Sequence, residues 1–454
     1  MIDIGKEVDA FASWPTRERT RALKRIIPRA RVEGALACTG RDRGHCPRLP
    51  GWFMIWFVIA LGLSCRDCYR QVFRWLQPYR PGANPPRSTF CEARRRLGIA
   101  PMRHLADAVV RLLGRPETPG AFHRGMRTMA LDGFTVDLPD TPRNDRAFGR
   151  PGGHRAPGAF PQARVLALCE TGSHVLWRWL IKPYHRGEVS MAHRLLRELR
   201  PDMLLLWDRN SLSYRTVAEV RARKAHLLAR IKSNLNFTPI RVLGDGSYLA
   251  KLYRNAADRK RDRDGILVRI IEYTFDDPGR PGSGQPHRLL TTLLDEALDP
   301  AEALIVLYHE RWEEELAIDE LKTHQRERPV LRSQTPGGVV QELYGLLLGH
   351  YVIRALMQEA AAGRGVDPRR MSFTGALRIL RCRLPECPAS RRGLSRWYRR
   401  LVAEIAEEVL PRRRDRINPR VIKGKMSNWK KKRPEHRHYP QPTKGFTEAI
   451  VLRR

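Results

Sequence analysis

The sequence predicts an α/β fold in three parts, on three observations. Residues 1–118 carry apolar residues at helical spacing and almost no strand pattern, so an all-helical N-terminal domain is expected. Residues 125–365 alternate short aliphatic runs with helical stretches. From residue 366 onward, and most strongly past Pro411, basic residues dominate, giving a basic C-terminal region. The chain of 454 residues holds 84 Lys and Arg against 48 Asp and Glu, a formal net charge of +36. A surface that basic repels itself unless it meets a polyanion, so nucleic acid is the expected partner, with an anionic membrane or the ribosome as rivals. At 42% hydrophobic residues a wholly disordered protein is excluded.

In the N-terminal part, Pro50-Gly51 opens an apolar helix expected to end near Ser64. It is too short to span a bilayer and reads as a buried core helix. With no signal-peptide layout at the N-terminus, a cytoplasmic, nucleoid-associated protein is expected. Residues 66–76 place Tyr69, Val72, Phe73 and Leu76 at helical spacing. Thr89 and Glu92 stand at capping-box spacing before a helix that stops at Gly98. Its Arg94, Arg95 and Arg96 suit a helix-turn-helix-like DNA reader; the alternative is a solvated basic face on a structural helix. Cys65 and Cys68, with Cys38, His45 and Cys46, could be taken for a zinc site, but reduced thiols are the better reading.

The pattern then changes to strands. Residues 128–131 lead to Asp132-Gly133, residues 135–138 are extended again, and a Pro, Gly and Arg-rich loop runs over 139–161. Residues 164–170 and 174–183 read as strands joined at Thr171-Gly172-Ser173. A helix over 190–199, a buried strand over 203–207 closed by Asp208, a helix over 213–223 and a strand over 226–231 follow. Three strands, then helix, strand, helix and strand, is the order of an RNase H-like domain. Residues 232–298 read as an antiparallel β insertion into it. A long helix is expected from Asp299, as N-cap, through Pro300 to Lys322, and another, mainly apolar, over 338–361. On the first, at 100° per residue, Tyr308, Arg311, Glu315 and Lys322 fall within roughly 60° on a face that includes Leu304 and is flanked by Trp312.

Two divalent ions can activate an attacking hydroxyl and stabilise a leaving oxygen if carboxylates from separate elements converge. Asp132, Asp208 and Glu315 are candidates; Asp137 and Asp140 compete with Asp132 as the first ligand. The spacing Tyr-x2-Arg-x3-Glu-x6-Lys, as Tyr308, Arg311, Glu315 and Lys322, resembles that of the insertion-sequence-4 family of DDE transposases. Leu131-Asp132-Gly133 with Pro139-Asp140-Thr141-Pro142, Asn144 and Phe148-Gly149 resembles the family's first catalytic block. Trp207-Asp208-Arg209 with Ser213 resembles the second, and residues 88–98 with the apolar helix before them resemble its N-terminal domain. The similarity covers roughly residues 20–435.

The resemblance implies an RNase H-like catalytic domain in which Asp132, Asp208 and Glu315 are the catalytic, metal-binding carboxylates for two Mg²⁺ or Mn²⁺ ions. It implies that Tyr308, Arg311 and Lys322 hold phosphates of double-stranded DNA, at transposon ends and target, in a homodimeric end complex that cleaves and transfers strands. Family members stack an aromatic residue of the β insertion, commonly Trp, on a flipped base. No Trp lies between Trp207 and Trp312 here; Phe237, Tyr248, Tyr253 and Tyr273 are the alternatives. Two rival readings are a non-catalytic DNA-binding regulator derived from a transposase and an RNase H-like nuclease.

Overall fold

The computed structural model describes residues 21–42, 49–77, 85–152, 157–208, 212–232, 235–280, 282–388, 391–411 and 441–453. The main elements begin with α1 (Arg29–Ala37), α2 (Gly51–Leu63), α3 (Tyr69–Leu76), α4 (Arg87–Leu97) and α5 (Ala100–Val109). Next come β1 (Met126–Asp137), α6 (Pro142–Phe148), β2 (Gln162–Glu170), β3 (Val175–Pro183), α7 (Glu188–Leu195), β4 (Met203–Trp207), α8 (Tyr214–Ala222) and β5 (His226–Arg230). β6 (Arg241–Val242), β7 (Tyr248–Leu252), α9 (Ala256–Lys260), β8 (Ile266–Phe275) and β9 (His287–Thr291) follow. The chain continues through α10 (Ala301–His309), α11 (Trp312–Asp319), a π-helical stretch (Glu320–Gln325), α12 (Pro336–Arg364), α13 (Phe373–Arg383), α14 (Arg391–Ile405) and β10 (Ile450–Leu452). Among the described residues no helix is long and apolar enough to cross a membrane.

Two compact units divide the chain. The first takes residues 1–122, 129–198 and 312–410, the second 123–128, 199–311 and 411–454. This division differs from three consecutive domains. The apolar helix α2 packs in the first unit against α12, and α13 and α14 pack there too. A Cβ on Gly62 would stand 2.2 Å from the carbonyl oxygen of Gly345, and one on Gly345 would stand 2.3 Å from that of Val58. The helices α2 and α12 therefore cross backbone against backbone. β1, β2 and β3 form an antiparallel run with Asp132 opposite Ala167. One core cluster joins Cys65 at the end of α2, Phe134 and Val136 of β1, Val165 and Ala167 of β2, Ala317 and Ile318 of α11, and Leu343, Leu346 and Leu347 of α12.

The second unit holds a mixed sheet. β4 pairs in parallel with β5, and β9 joins β5 antiparallel. β8, β7 and β6 extend it by antiparallel pairs. The expected insertion is thus antiparallel, as its alternating pattern implied, and it continues the sheet of its own unit. β10 adds to β8, and Phe446 packs on Phe275 and His309. The last described residues therefore belong to the fold of the second unit, whereas residues 412–440, the most basic part of the C-terminal region, lie outside the described residues.

Several local expectations need correction. Asp132-Gly133 lies inside one continuous strand rather than at its end. The expected loop over 139–161 contains α6, capped by Thr141, whose hydroxyl accepts from the Asn144 amide. α4 starts before Thr89 with Pro86 at its N-cap and no side-chain cap, so Thr89 and Glu92 form no capping box. α3 starts at Tyr69, three residues later than expected, where Gln71 accepts from the Cys68 amide.

The single helix over 299–322 is broken. α10 ends with Glu310 as its C-cap, three-residue bonds from Glu310 and Arg311 tighten its last turn, and α11 restarts at Trp312. The division between the units falls at this break. The π-helical stretch after α11 shifts the phase again. There Gln325 Nε2 donates to the carbonyls of Gly62 and Leu346, at 2.9 and 2.8 Å. Local propensity gives no reason for the break, and the π-helical stretch is held by the long-range bonds of Gln325.

Candidate active site

β1 alternates so that Phe134 and Val136 face the core cluster, and Asp132 shares their parity. Asp132 therefore sits on the sheet face covered by α11, whose Ala317 and Ile318 belong to the same cluster and which carries Glu315. Both side chains are partly exposed at the edge of that apolar contact. Asp132 Oδ1 accepts from the Gly133 amide at 2.7 Å. The competing carboxylates are engaged elsewhere: Asp137 accepts from Gln162 Nε2 at 2.7 Å, and Asp140 pairs with Arg150.

Asp208 belongs to the second unit and directly follows β4, all five residues of which are buried. Tyr308 on α10 is buried, and its hydroxyl donates to the carbonyl of Trp207, the residue before Asp208. Burial pushes the Tyr308 phenol up to about 12, with Arg311 opposing and Asp208 adding to the rise. Tyr308 therefore fixes the end of β4 rather than standing out towards a ligand.

The start of α10 is anchored differently from the expected cap. Asp299 does not cap it; its carboxylate binds His123 Nε2 at 2.7 Å and Arg124 Nη1 at 2.8 Å. Asp245 supplies the cap, accepting from the Ala301 amide at 2.9 Å, and it pairs with the buried Arg269. Arg269 Nη1 in turn donates to the Asp299 carbonyl at 2.6 Å. An arginine inside the alternating run of β8 was the available signal for this network.

Beside α11 lies a buried polar cluster that sequence reading missed. His174 Nε2 meets Glu313 Oε2 at 2.9 Å and its Nδ1 meets Glu320 Oε1 at 3.1 Å. His350 Nε2 and Arg354 Nε reach Glu320 Oε2 at 3.2 and 2.8 Å. Burial alone would raise the Glu320 carboxyl; Arg354 and His174, with hydrogen bonds from both histidines, hold it well below its ordinary value. The cluster clamps the π-helical stretch and α12 together behind the helix of Glu315.

Of the three expected DNA-reading arginines, Arg95 and Arg96 are exposed but Arg94 is 5% exposed. Its guanidinium donates to Tyr69 Oη, Gln341 Oε1, Ser333 Oγ and the Gly338 carbonyl. Arg94 is thus spent on fixing α4 to α12. Among the insertion aromatics, Tyr273 is buried and stacks on His287, Tyr248 donates to Glu272, and Tyr253 donates to Asp262. Phe237 is partly exposed. For the suggested zinc set, Cys65 is buried with its thiol donating to the Gly62 carbonyl, Cys38 and Cys68 are exposed free thiols, and His45 and Cys46 lie outside the described residues. Burial pushes the Cys65 thiol up to about 12, unlike that of a metal-binding thiolate.

The donor chemistry of Asp132, Asp208 and Glu315, three carboxylates, fits a hard divalent cation. Among the described residues no group of three or more His, Cys, Asp or Glu side chains is gathered in metal-holding geometry.

The chain is mixed α/β, with Asp132 inside β1 and Glu315 on α11 in the first unit, and Asp208 just past buried β4 in the second. Residues 123–351 match the family model of the transposase DDE domain, and residues 17–107 match that of the insertion element 4 transposase N-terminal region. The chain belongs to the DDE transposases of the insertion-sequence-4 family, enzymes of DNA strand cleavage and transfer. It is 29% identical over 440 residues to the transposase InsG for insertion sequence element IS4 of Escherichia coli (strain K12), covering 94% of this chain and 97% of that one. It is also 28% identical over 188 residues to the putative transposase InsZ of the same organism, covering 40% of this chain and 61% of that one. A piggyBac transposase, solved in a synaptic complex with hairpin DNA, aligns with a TM-score of 0.42 and 13% identity over 87% of this chain and 85% of that one.

Proposed function

We propose that this transposase binds the terminal inverted repeats of an insertion sequence as a homodimer and cleaves and transfers DNA strands with Asp132, Asp208 and Glu315 as its metal-binding carboxylates. The observation that carries the reading is the placement of Asp132 on the sheet face covered by the helix of Glu315. The strand and helix order from β1 to β5 supports an RNase H-like domain. Two Mg²⁺ or Mn²⁺ ions held by these oxygens would supply Lewis acidity at the scissile phosphate. The chain's own groups do the rest. Tyr308 holds the end of β4 and so orients Asp208. Arg311 presents a fork suited to a phosphate, and Lys322 a point charge, so both engage transposon-end phosphates. A net charge of +36 draws duplex DNA to the protein over a range set by the screening length.

The test is an end-nicking assay with Mg²⁺ or Mn²⁺ on Asp132→Ala, Asp208→Ala and Glu315→Ala. Each variant is expected to lose cleavage while binding end DNA as wild type does. A variant that nicks at the wild-type rate removes that residue from the set. Cleavage by the wild type without preference for the terminal repeats would favour a nuclease.

A further inference from the structure

Two neighbouring hollows open on the first unit where α3 and α4 meet the segment leading into α12. One, of about 380 Å³, is lined by Arg66, Arg70, Arg87, Arg328 and Arg332, with Asp67 as its single acid. The other, of about 330 Å³, shares Tyr69, Arg87 and Arg332, adds Arg95 of α4 and reaches Gly337 and Gly338 at the start of α12. Their floor is fixed. Arg332 donates to the carbonyls of Asp67 and Cys65 at 2.8 and 2.7 Å and pairs with Glu342. Buried Arg94 bolts α4 to Gly338 and Gln341. Asp67 accepts from the Ser64 hydroxyl.

The rim is different. Arg70, Arg87, Arg95 and Arg328 are exposed, and among the described residues none has an ion pair. Arg66 donates to the Glu327 carbonyl at 3.4 Å and reaches its carboxylate only at 3.9 Å, with a side chain 72% exposed. Arg66, Arg70, Arg87 and Arg328 gathered on the first hollow, with Arg87 and Arg95 on the second beside it, repel one another unless anions lie between them. Guanidinium forks match phosphate oxygens bidentately, and phosphate contacts carry no sequence information directly.

Resting on the transposase reading above, we propose that this arginine-rimmed groove tracks the phosphodiester backbone of duplex DNA and supplies sequence-independent affinity. The experiment uses the full chain with Arg70→Gln, Arg87→Gln and Arg328→Gln combined, and a control with Arg221→Gln, Arg223→Gln and Lys224→Gln, which removes equal charge from the other unit. Fluorescence anisotropy measures binding to a terminal-repeat duplex and to a random duplex between about 50 and 200 mM salt. Each guanidinium withdrawn from a phosphate should lower the slope of log K against log salt by about 0.9, so the groove variant should fall by roughly 2–3 on both duplexes. The control should fall by less than about 1 on that scale. If the triple variant lacks the wild-type thermal transition, the exposed single variants Arg70→Gln and Arg328→Gln carry the same comparison. A slope equal to the control's, while the wild type still nicks transposon ends, overturns the groove alone. Weakening confined to the terminal-repeat duplex overturns its sequence independence. A wild type that binds neither duplex overturns both the groove and the functional reading.

Discussion

Arg94 and Arg95 are neighbours in sequence with opposite fates. Arg94→Ala would remove the guanidinium from which Gln341 Oε1, Ser333 Oγ, Tyr69 Oη and the Gly338 carbonyl accept, leaving an empty site lined by polar groups. Such a change should cost roughly 2–4 kcal/mol. Arg95→Ala, at an exposed position, should change stability by less than about 0.5 kcal/mol and weaken DNA binding instead. Urea unfolding alongside a gel shift separates the two; equal stability loss from both would contradict the assignment. The helix holding these arginines was legible because Pro86 and Gly98 bracket it, Gly98 with φ of 69°. Which arginine turns inward was not, because Gln341 lies 247 residues away. Asp132 and Asp208 were legible as candidates because buried aliphatic runs lead into both, and Tyr308 was visible only as part of a spacing. Its burial under the Trp207 carbonyl depends on how α10 meets β4.

Elements show the same division between local and distant causes. A strand such as β4 announces itself by aliphatic content and flanking breakers, and its expected limits, 203–207, match those observed. The break at Glu310–Arg311 and the π-helical stretch have no local marker, since neither Gly nor Pro lies there. Glycine inside α2 and α12 would ordinarily weaken a helix, and Ala is the better helix former by about 1 kcal/mol. Gly62→Ala should nevertheless destabilise by at least about 2 kcal/mol, because its methyl would meet the Gly345 backbone rather than a side chain able to move. Gly34→Ala in α1 has no heavy atom within 4 Å of the new methyl and should stabilise by up to about 1 kcal/mol. Thermal unfolding of the pair checks both signs; a stabilising Gly62→Ala would refute the close crossing.

At the scale of the whole molecule, buried ionisable groups set the acid limit of stability. Burial, with His287, Arg280, Arg230 and Arg311 nearby, lowers His309 from its ordinary 6.5 to about 4. The unfolded chain therefore takes up this proton first, so the contribution is intact above about pH 6.5 and fades as pH falls towards 4, by at most about 3 kcal/mol. Glu320, depressed well below its ordinary value, contributes stability above its unfolded pKa that is lost as pH falls through its folded one. Both act in the same direction. His309→Phe keeps the packing on Phe446 and should lose less stability than wild type between about pH 7 and pH 4.5 in urea unfolding. An unchanged pH dependence would show that His309 titrates normally.

The hydrogen bond between Gln325 and the Gly62 carbonyl joins residues 263 positions apart. A ribosome adding about 5–20 residues per second needs roughly 13–50 s to pass from one to the other. Throughout that interval the thirteen-residue helix α2, with eleven of its residues destined for burial, has emerged without the helix that covers it. Nascent chains of this protein therefore spend most of their synthesis presenting an apolar surface. Stalling or truncation before α12 should yield aggregating or chaperone-held fragments, not a working N-terminal half.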